Sequence, residues 1–226
     1  MEEKRNDLQK LHALMTERSP EEIREMTEKV KILMTYYRCA MLEIETKFKV
    51  LNEQFSLSHE RNPIDSIKSR LNSIESIREK LERKGLSMSL NALEHELNDI
   101  AGIRVICSFK EDIYMLADCL TGQDDVKLIE KKDYIKNPKP NGYRSLHLIV
   151  EIPIFLYNEK KFVRVEVQLR TIAMELWANL EHRMRYKKNL DDGLLAETAD
   201  ELLACATISA MLDDKMQAIK KVIEDD

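Results

Sequence analysis

From about residue 21 to 55 the apolar positions recur at steps of three and four: Ile23, Met26, Val30, Leu33, Tyr37, Met41, Ile44, Phe48, Leu51 and Phe55. That period gathers them on one stripe of a long amphipathic helix. Ser19-Pro20 with Glu22 supplies its start signal. A stripe this long packs on the chain's own core, and it also suits contact with another subunit. A second helix is expected from Asn62-Pro63, with Asn as N-cap, Pro at N1 and Asp65 at N3, running to a stop at Gly85. The pattern then changes. Ile103-Arg104-Val105-Ile106-Cys107 is a β-branched run, residues 112 to 120 read as helix, and a short strand is expected near 126 to 129. Asn137-Pro138-Lys139-Pro140-Asn141-Gly142 is a loop. Two strands with period two follow. In the first, Tyr143, Ser145 and His147 share one face, opposite Arg144, Leu146, Leu148 and Val150. In the second, Val163, Val165, Val167 and Leu169 oppose Arg164, Glu166, Gln168 and Arg170. Helices are expected from about 171 to 186 and from about 194 to 224, the last with apolar positions Leu195, Leu202, Met216, Ile219 and Ile223. These elements predict an α/β (α+β) fold. It has a mixed sheet flanked by helices, long N- and C-terminal helices, and one polar sheet face.

Composition narrows the function classes. The 226 residues suffice for one sizeable core with helical extensions, and only 5 Gly and 5 Pro leave little room for long loops. The net charge of −5 argues against a bulk electrostatic nucleic-acid binder, so any polyanion site must be local. The charged start Met1-Glu2-Glu3-Lys4 is not a signal peptide and no apolar run is of membrane-spanning length, so a cytoplasmic enzyme with no membrane contact is expected. Cys39, Cys107, Cys119 and Cys205 are widely spaced and read as reduced thiols; zinc-ligand spacing is missing.

The polar strand face carries the candidate chemistry. His147, Glu166, Gln168 and Arg170 would be costly beside a core unless they meet partners, and a charged ligand is one such partner. A solvated face of an antiparallel sheet explains the same pattern equally well. Two basic islands favour the ligand. Residues 61 to 84 hold seven Lys/Arg against four Asp/Glu, and residues 127 to 144 hold six against two. Positive islands in an acidic chain suit a polyphosphate. Asp99 and Glu166 supply two carboxylates of the kind that hold Mg²⁺ in phosphoryl transfer, and Glu166 can take a hydroxyl proton.

Four ordered segments carry a family resemblance. They are Asp99-Ile100-Ala101-Gly102-Ile103-Arg104, Lys139-Pro140-Asn141-Gly142-Tyr143-Arg144-Ser145-Leu146-His147, Val165-Glu166-Val167-Gln168-Leu169-Arg170-Thr171, and Trp177-Ala178 with Glu181-His182. Together they resemble the synthetase domain of the RelA/SpoT family, most closely its small single-domain alarmone synthetases. The resemblance spans about residues 61 to 188. It implies a sheet of the nucleotidyltransferase-like synthetase type and a domain over 61–190, between a helical extension (1–60) and a C-terminal helix (191–226). It implies a GTP pyrophosphokinase that moves pyrophosphate from ATP to the 3′-hydroxyl of GTP or GDP, with Mg²⁺ as cofactor.

By the same resemblance, Asp99 and Glu166 look like the Mg-binding acids, with Glu166 activating the hydroxyl. Arg70, Lys80, Arg83 and Arg104 look like ATP contacts. Tyr143 looks like the ring that stacks on guanine, with His147, Lys139, Gln168 and Lys132 around the acceptor. Arg70 is expected about 15 Å along one helix from Lys80. Where the family commonly has Arg-x-Lys-Ser, this chain reads Arg70-Leu71-Asn72-Ser73, so one cation is replaced by Asn72. No His-Asp dipeptide occurs, which implies synthesis without hydrolysis. The resemblance implies a homotetramer; RNA binding stays open and is not predicted. Two rivals remain: the same fold acting on the 3′ end of tRNA, and a catalytically weak guanine-nucleotide sensor.

Overall fold

A computed structural model of the chain describes residues 20–59, 61–187 and 192–224. α1 (Pro20–His59) carries the opening stripe. Met26, Val30, Leu33, Tyr37, Ile44, Phe48 and Leu51 are buried, and Met41 and Phe55 pack on the same core. Each buried large apolar side chain contributes about 1.5–3 kcal/mol, so this face alone fixes the helix to the sheet. Ser19 and the side chains of Ile23 and Leu195 lie outside the described residues.

The helix expected from Asn62 to Gly85 is corrected by the structure. Its first half is a strand, β1 (Ile64–Leu71), and only its second half is a helix, α2 (Ile74–Arg83). Ile64, Ile67, Leu71, Ile74, Ile77 and Leu81 keep helical spacing across both, which is why periodicity misleads here. Ser66, Ser69, Asn72 and Ser73 are weak helix formers, and β1 gains an antiparallel ladder with a later strand. The helix start is set instead by Ser73, whose side chain accepts from the Ser76 amide at 3.3 Å. The stop is where the sequence puts it. Gly85 has φ +69°, its amide donates to Glu82 O and the Leu86 amide to Leu81 O, both at 2.9 Å, closing a Schellman turn.

After α3 (Leu90–His95) come β2 (Ala101–Cys107), α4 (Lys110–Thr121), β3 (Lys127–Asp133), β4 (Leu146–Phe155) and β5 (Lys160–Thr171). The chain then forms α5 (Ile172–Lys187) and α6 (Asp192–Glu224). The five-stranded sheet has the order β1-β2-β5-β4-β3 and is mixed: β2 and β5 are parallel, the other pairs antiparallel. β3 extends beyond the expected 126–129 because its Lys-rich half is an edge, where charged side chains reach water. Tyr143 precedes β4 and belongs to the loop that Gly142 turns. Ser145 is fully buried and donates to Leu169 O at 3.2 Å.

One sheet face is apolar. Ile103 and Val105 on β2, Leu148, Val150 and Ile152 on β4, and Val163 to Leu169 at alternate positions on β5 are buried there. α1 and α4 pack across it. Tyr37 on α1 donates to the Leu93 carbonyl at 3.1 Å, and burial pushes its phenol up to about 12. Burial, with Asp133 nearby, pushes Tyr114 on α4 to about 12 as well. The unfolded chain loses these protons near pH 10. The folded state keeps them, so this stability is complete below pH 10 and disappears as pH rises to 12. Absorbance at 295 nm should therefore show a late class of tyrosines that ionises about two pH units above the rest or only on unfolding. Uniform titration near pH 10 in folded protein would contradict this packing.

Candidate active site

The strand register assembles the polar face from all five strands. Lys132 pairs with His147, His147 with Gln168, Gln168 with Arg104, and Arg104 with Lys68, forming one row across the sheet. The adjacent row reads Glu130, Ile149, Glu166, Gly102, Arg70. Since side chains alternate, both rows point away from α1 and α4.

Two clefts open on these rows. The first, about 200 Å³, lies over β3 and β4 and is walled by Lys132, Tyr134, Lys139, His147 and Glu166, with Glu130 at its side. The second, about 360 Å³, lies over β1 and β2 and holds Lys68, Arg70, Lys80, Asp99, Arg104 and Glu166 among its walls. Glu166 is the residue common to both. Lys80 reaches across from α2 to Asp99 at 2.5 Å.

A directed hydrogen-bond chain runs into Glu166. Arg170 Nη2 donates to the Tyr143 hydroxyl at 2.5 Å, the hydroxyl lies 2.8 Å from His147 Nε2, and His147 Nδ1 lies 3.0 Å from Glu166 Oε1. A neutral His147 protonated on Nδ1 satisfies all three contacts. Gln168 donates to Glu166 Oε2 at 2.9 Å and accepts from Arg170 at 3.0 Å. Burial pushes the Glu166 carboxyl up, but His147, Gln168 and the Lys80 charge together outweigh it and hold the group below its ordinary range. Glu166 is therefore an anion at neutral pH. Lys139 holds its ammonium 4.7 Å from the Tyr134 ring centre and 4.9 Å from that of Tyr143.

Asp99 and Glu166 are the donors available to a metal. Among the described residues no cluster of three or more His, Cys, Asp or Glu forms a closed cage. Two carboxylates beside open space suit Mg²⁺, which takes one or two protein carboxylates and fills its remaining positions with water or phosphate oxygens. The donor set fits that ion.

The structure brings Arg70, Lys80, Asp99, Arg104, Glu166 and Gln168 to the second cleft, and Lys132, Lys139 and His147 to the first. Gln168 lines the second cleft and is also the direct strand partner of His147, so it stands between the two clefts beside Glu166. Tyr143 stands behind the first cleft's wall, edge-on to Tyr134 at 6.0 Å. Arg83 walls neither cleft; its Nε donates to Glu79 O at 3.3 Å. Arg70 reaches the second cleft from a strand, not from the helix of Lys80. Asn72 is buried there. Its side chain donates to the Asp99 carbonyl at 2.6 Å, and its amide donates to Ile100 O at 2.9 Å. It anchors the backbone at Asp99. Sequence reasoning missed Tyr134, although the alternation Glu130, Lys132, Tyr134 marks it. It also missed Glu175, because an acid in a helix's first turn ordinarily serves the helix dipole.

A sheet face with two cation-lined clefts meeting at one ionised carboxylate suits an enzyme that acts on anionic substrates. The family described as "Region found in RelA / SpoT proteins" matches residues 69–191. The chain is 43% identical to GTP pyrophosphokinase YwaC of Bacillus subtilis over 90% of its own length and 96% of the relative's. The crystal structure of small alarmone synthetase 2 from Bacillus subtilis matches with a TM-score of 0.74 at 44% identity, covering 84% of this chain and 97% of that one. Small alarmone synthetase 1 of the same organism, bound to its product pppGpp, matches with a TM-score of 0.77 at 30% identity, over 87% and 99% of the two chains. The chain belongs to the RelA/SpoT family, in its branch of small alarmone synthetases.

Proposed function

We propose that the chain is a GTP pyrophosphokinase, which transfers the β,γ-pyrophosphate of ATP to the 3′-hydroxyl of GTP or GDP and releases AMP. The observation that carries this reading is the meeting of two cation-lined clefts at Glu166. The second cleft takes ATP, with Arg70, Lys80 and Arg104 on its phosphates. The first takes the guanine nucleotide, with Lys132 and Lys139 on phosphates and the Tyr134–Tyr143 corner beside the base. A relative of the same fold that binds pppGpp supports this assignment.

In the reaction, the acceptor's 3′-oxygen forms a bond to the β-phosphorus while the bond from that phosphorus to the α–β bridging oxygen breaks and departs with AMP. Glu166, anionic and held from both sides, orients the hydroxyl and draws its proton. Asp99 and Glu166 would hold Mg²⁺, which when bound neutralises charge on the phosphate oxygens. Lys80 keeps Asp99 aimed into the cleft, and Asn72 fixes its backbone. This anchoring gives Asn72 a structural role, while the charge of a cation at that position is left to Arg70, Lys80 and Arg104.

Gly102 lies between Glu166 and Arg70 on the second cleft's floor. A Cβ there would meet Arg70 O at 3.7 Å and Glu166 O at 3.9 Å, which are ordinary contacts. Gly102→Leu should therefore fold but fill the cleft, raising the KM for ATP about tenfold or more while the melting temperature moves little. An unchanged KM in the folded variant would remove ATP from this cleft.

The reading includes synthesis without hydrolysis, a cytoplasmic location and a homotetramer. α5 and α6 expose Leu176, Leu180, Met184, Ile208, Leu212, Met216, Ile219 and Ile223, an apolar face suited to further copies of the chain. Light scattering should give four protomers for the wild type and a smaller species for Leu212→Asp/Ile219→Asp. A wild-type monomer would contradict the tetramer. None of the described helices is long and apolar enough to cross a membrane. Supplying ATP with GTP, GDP or bulk tRNA tests the acceptor directly: AMP release with either guanine nucleotide supports the reading, and release with tRNA alone supports the rival.

A further inference from the structure

Glu175 sits in the first turn of α5, in the wall of neither cleft, and is nearly fully buried. Its Oε1 accepts from Lys68 Nζ at 3.0 Å, Arg104 Nη1 at 3.2 Å and Asn179 Nδ2 at 2.9 Å. Its Oε2 accepts from Arg170 Nη1 at 3.0 Å. Lys68 and Arg104 wall the second cleft, whereas Arg170, itself buried, holds the Tyr143 hydroxyl and the Gln168 side chain. One carboxylate thus balances three cations whose other duties lie in different places. One carboxylate among three cations leaves the cluster net positive, which suits an anion nearby.

We propose that Glu175 is a positioning residue that couples the two clefts, so that occupation of one raises the affinity of the other. The inference rests on the reading that the second cleft takes ATP and the first GTP or GDP. Incoming phosphates draw Lys68 and Arg104 away from Oε1. The Glu175 charge, less shared, then binds Arg170 more firmly and fixes Tyr143 and the chain through His147 to Glu166. By reciprocity, an acceptor that settles this chain favours the donor by the same factor.

The test is a binding cycle, free of turnover. α,β-Methylene ATP cannot break at the α–β bridge, so its affinity can be measured by calorimetry with Mg²⁺, alone and with saturating GDP. The wild type should bind it about 5-fold or more tightly when GDP is present. In Glu175→Gln that ratio should fall below about 2-fold, with melting curves confirming a folded protein. If Glu175→Gln does not fold, Glu175→Asp takes its place. The shorter carboxylate keeps the charge but cannot reach both sets of cations, so coupling should fall while each separate affinity changes little. A folded variant with wild-type coupling, or a wild type that binds both nucleotides without coupling, overturns the proposal and leaves the functional reading intact. A wild type that binds neither nucleotide overturns that reading, and the coupling with it.

Discussion

Glu166→Gln is expected to lower kcat by roughly 10³-fold or more while the fold and nucleotide binding survive. The substitution keeps the shape and removes the charge. Glu166 is the point where the two clefts meet, and its carboxylate accepts from both His147 and Gln168. A Gln amide keeps one acceptor and presents a donor where one of those bonds must end. It can neither hold a divalent cation as strongly nor take a proton. Because the folded site holds Glu166 below its ordinary range, loss of the charge also removes some stability at neutral pH, a smaller effect than the loss in the chemical step. Circular dichroism should be unchanged, and the dissociation constants for both nucleotides in the absence of metal should move by less than about tenfold. A folded Glu166→Gln enzyme with a tenth or more of wild-type turnover would remove the residue from the chemical step.

Gly142→Ala should be the most damaging Gly→Ala substitution among the described residues. Gly142 has φ +86°, and a Cβ there would stand 2.4 Å from the Ala206 Cβ and 3.2 Å from Leu203 Cδ1. The Ala206 methyl cannot swing aside, so the loop or α6 must move. That contact is also where α6 holds the loop, through Arg144, which donates to Ala206 O at 2.8 Å; nearby, Trp177 on α5 donates to Leu202 O at 2.9 Å. The same turn, closed by Gly142 N to Lys139 O at 2.8 Å, sets Lys139 and Tyr143. Strain and clash together should cost about 2–4 kcal/mol, with a fall in activity. Adding Ala206→Gly removes the clash but not the backbone strain, so the double variant should recover about half of the loss. Urea unfolding at one fixed protein concentration reads both values. A Gly142→Ala variant within about 0.5 kcal/mol of wild type would show that the loop and α6 are not packed as described.

Local periodicity makes much of this site legible in the sequence. Residues 163 to 170 alternate strictly, so the strand, its buried valines and its polar face follow from the period of two. α1 follows from a stripe sustained over its whole length. β1 could not be read this way, because its apolar residues happen to keep helical spacing into α2. What makes it a strand is pairing with β2, whose partner residues lie 30 to 43 positions later, and no local window contains that information. The division of the site into two clefts has the same origin. It depends on the register that lines Lys132, His147, Gln168, Arg104 and Lys68 into one row drawn from five separate strands. Asn72 reads in sequence as a missing cation, whereas in the fold its side chain has a backbone carbonyl to hold. Glu175 is one acid among many in the sequence; only the tertiary structure surrounds it with Lys68, Arg104 and Arg170.

In the proposed reaction, pyrophosphate passes intact from ATP to a guanine nucleotide at Glu166. The most direct measurement uses purified protein, Mg²⁺, γ-³²P-ATP and GTP or GDP, with products resolved by thin-layer chromatography and AMP quantified in the same reactions. A labelled guanine penta- or tetraphosphate should form one for one with AMP and be absent with Glu166→Gln. Label released as inorganic phosphate, with ADP in place of AMP, or no guanine product from a protein that binds both nucleotides, would contradict that reaction.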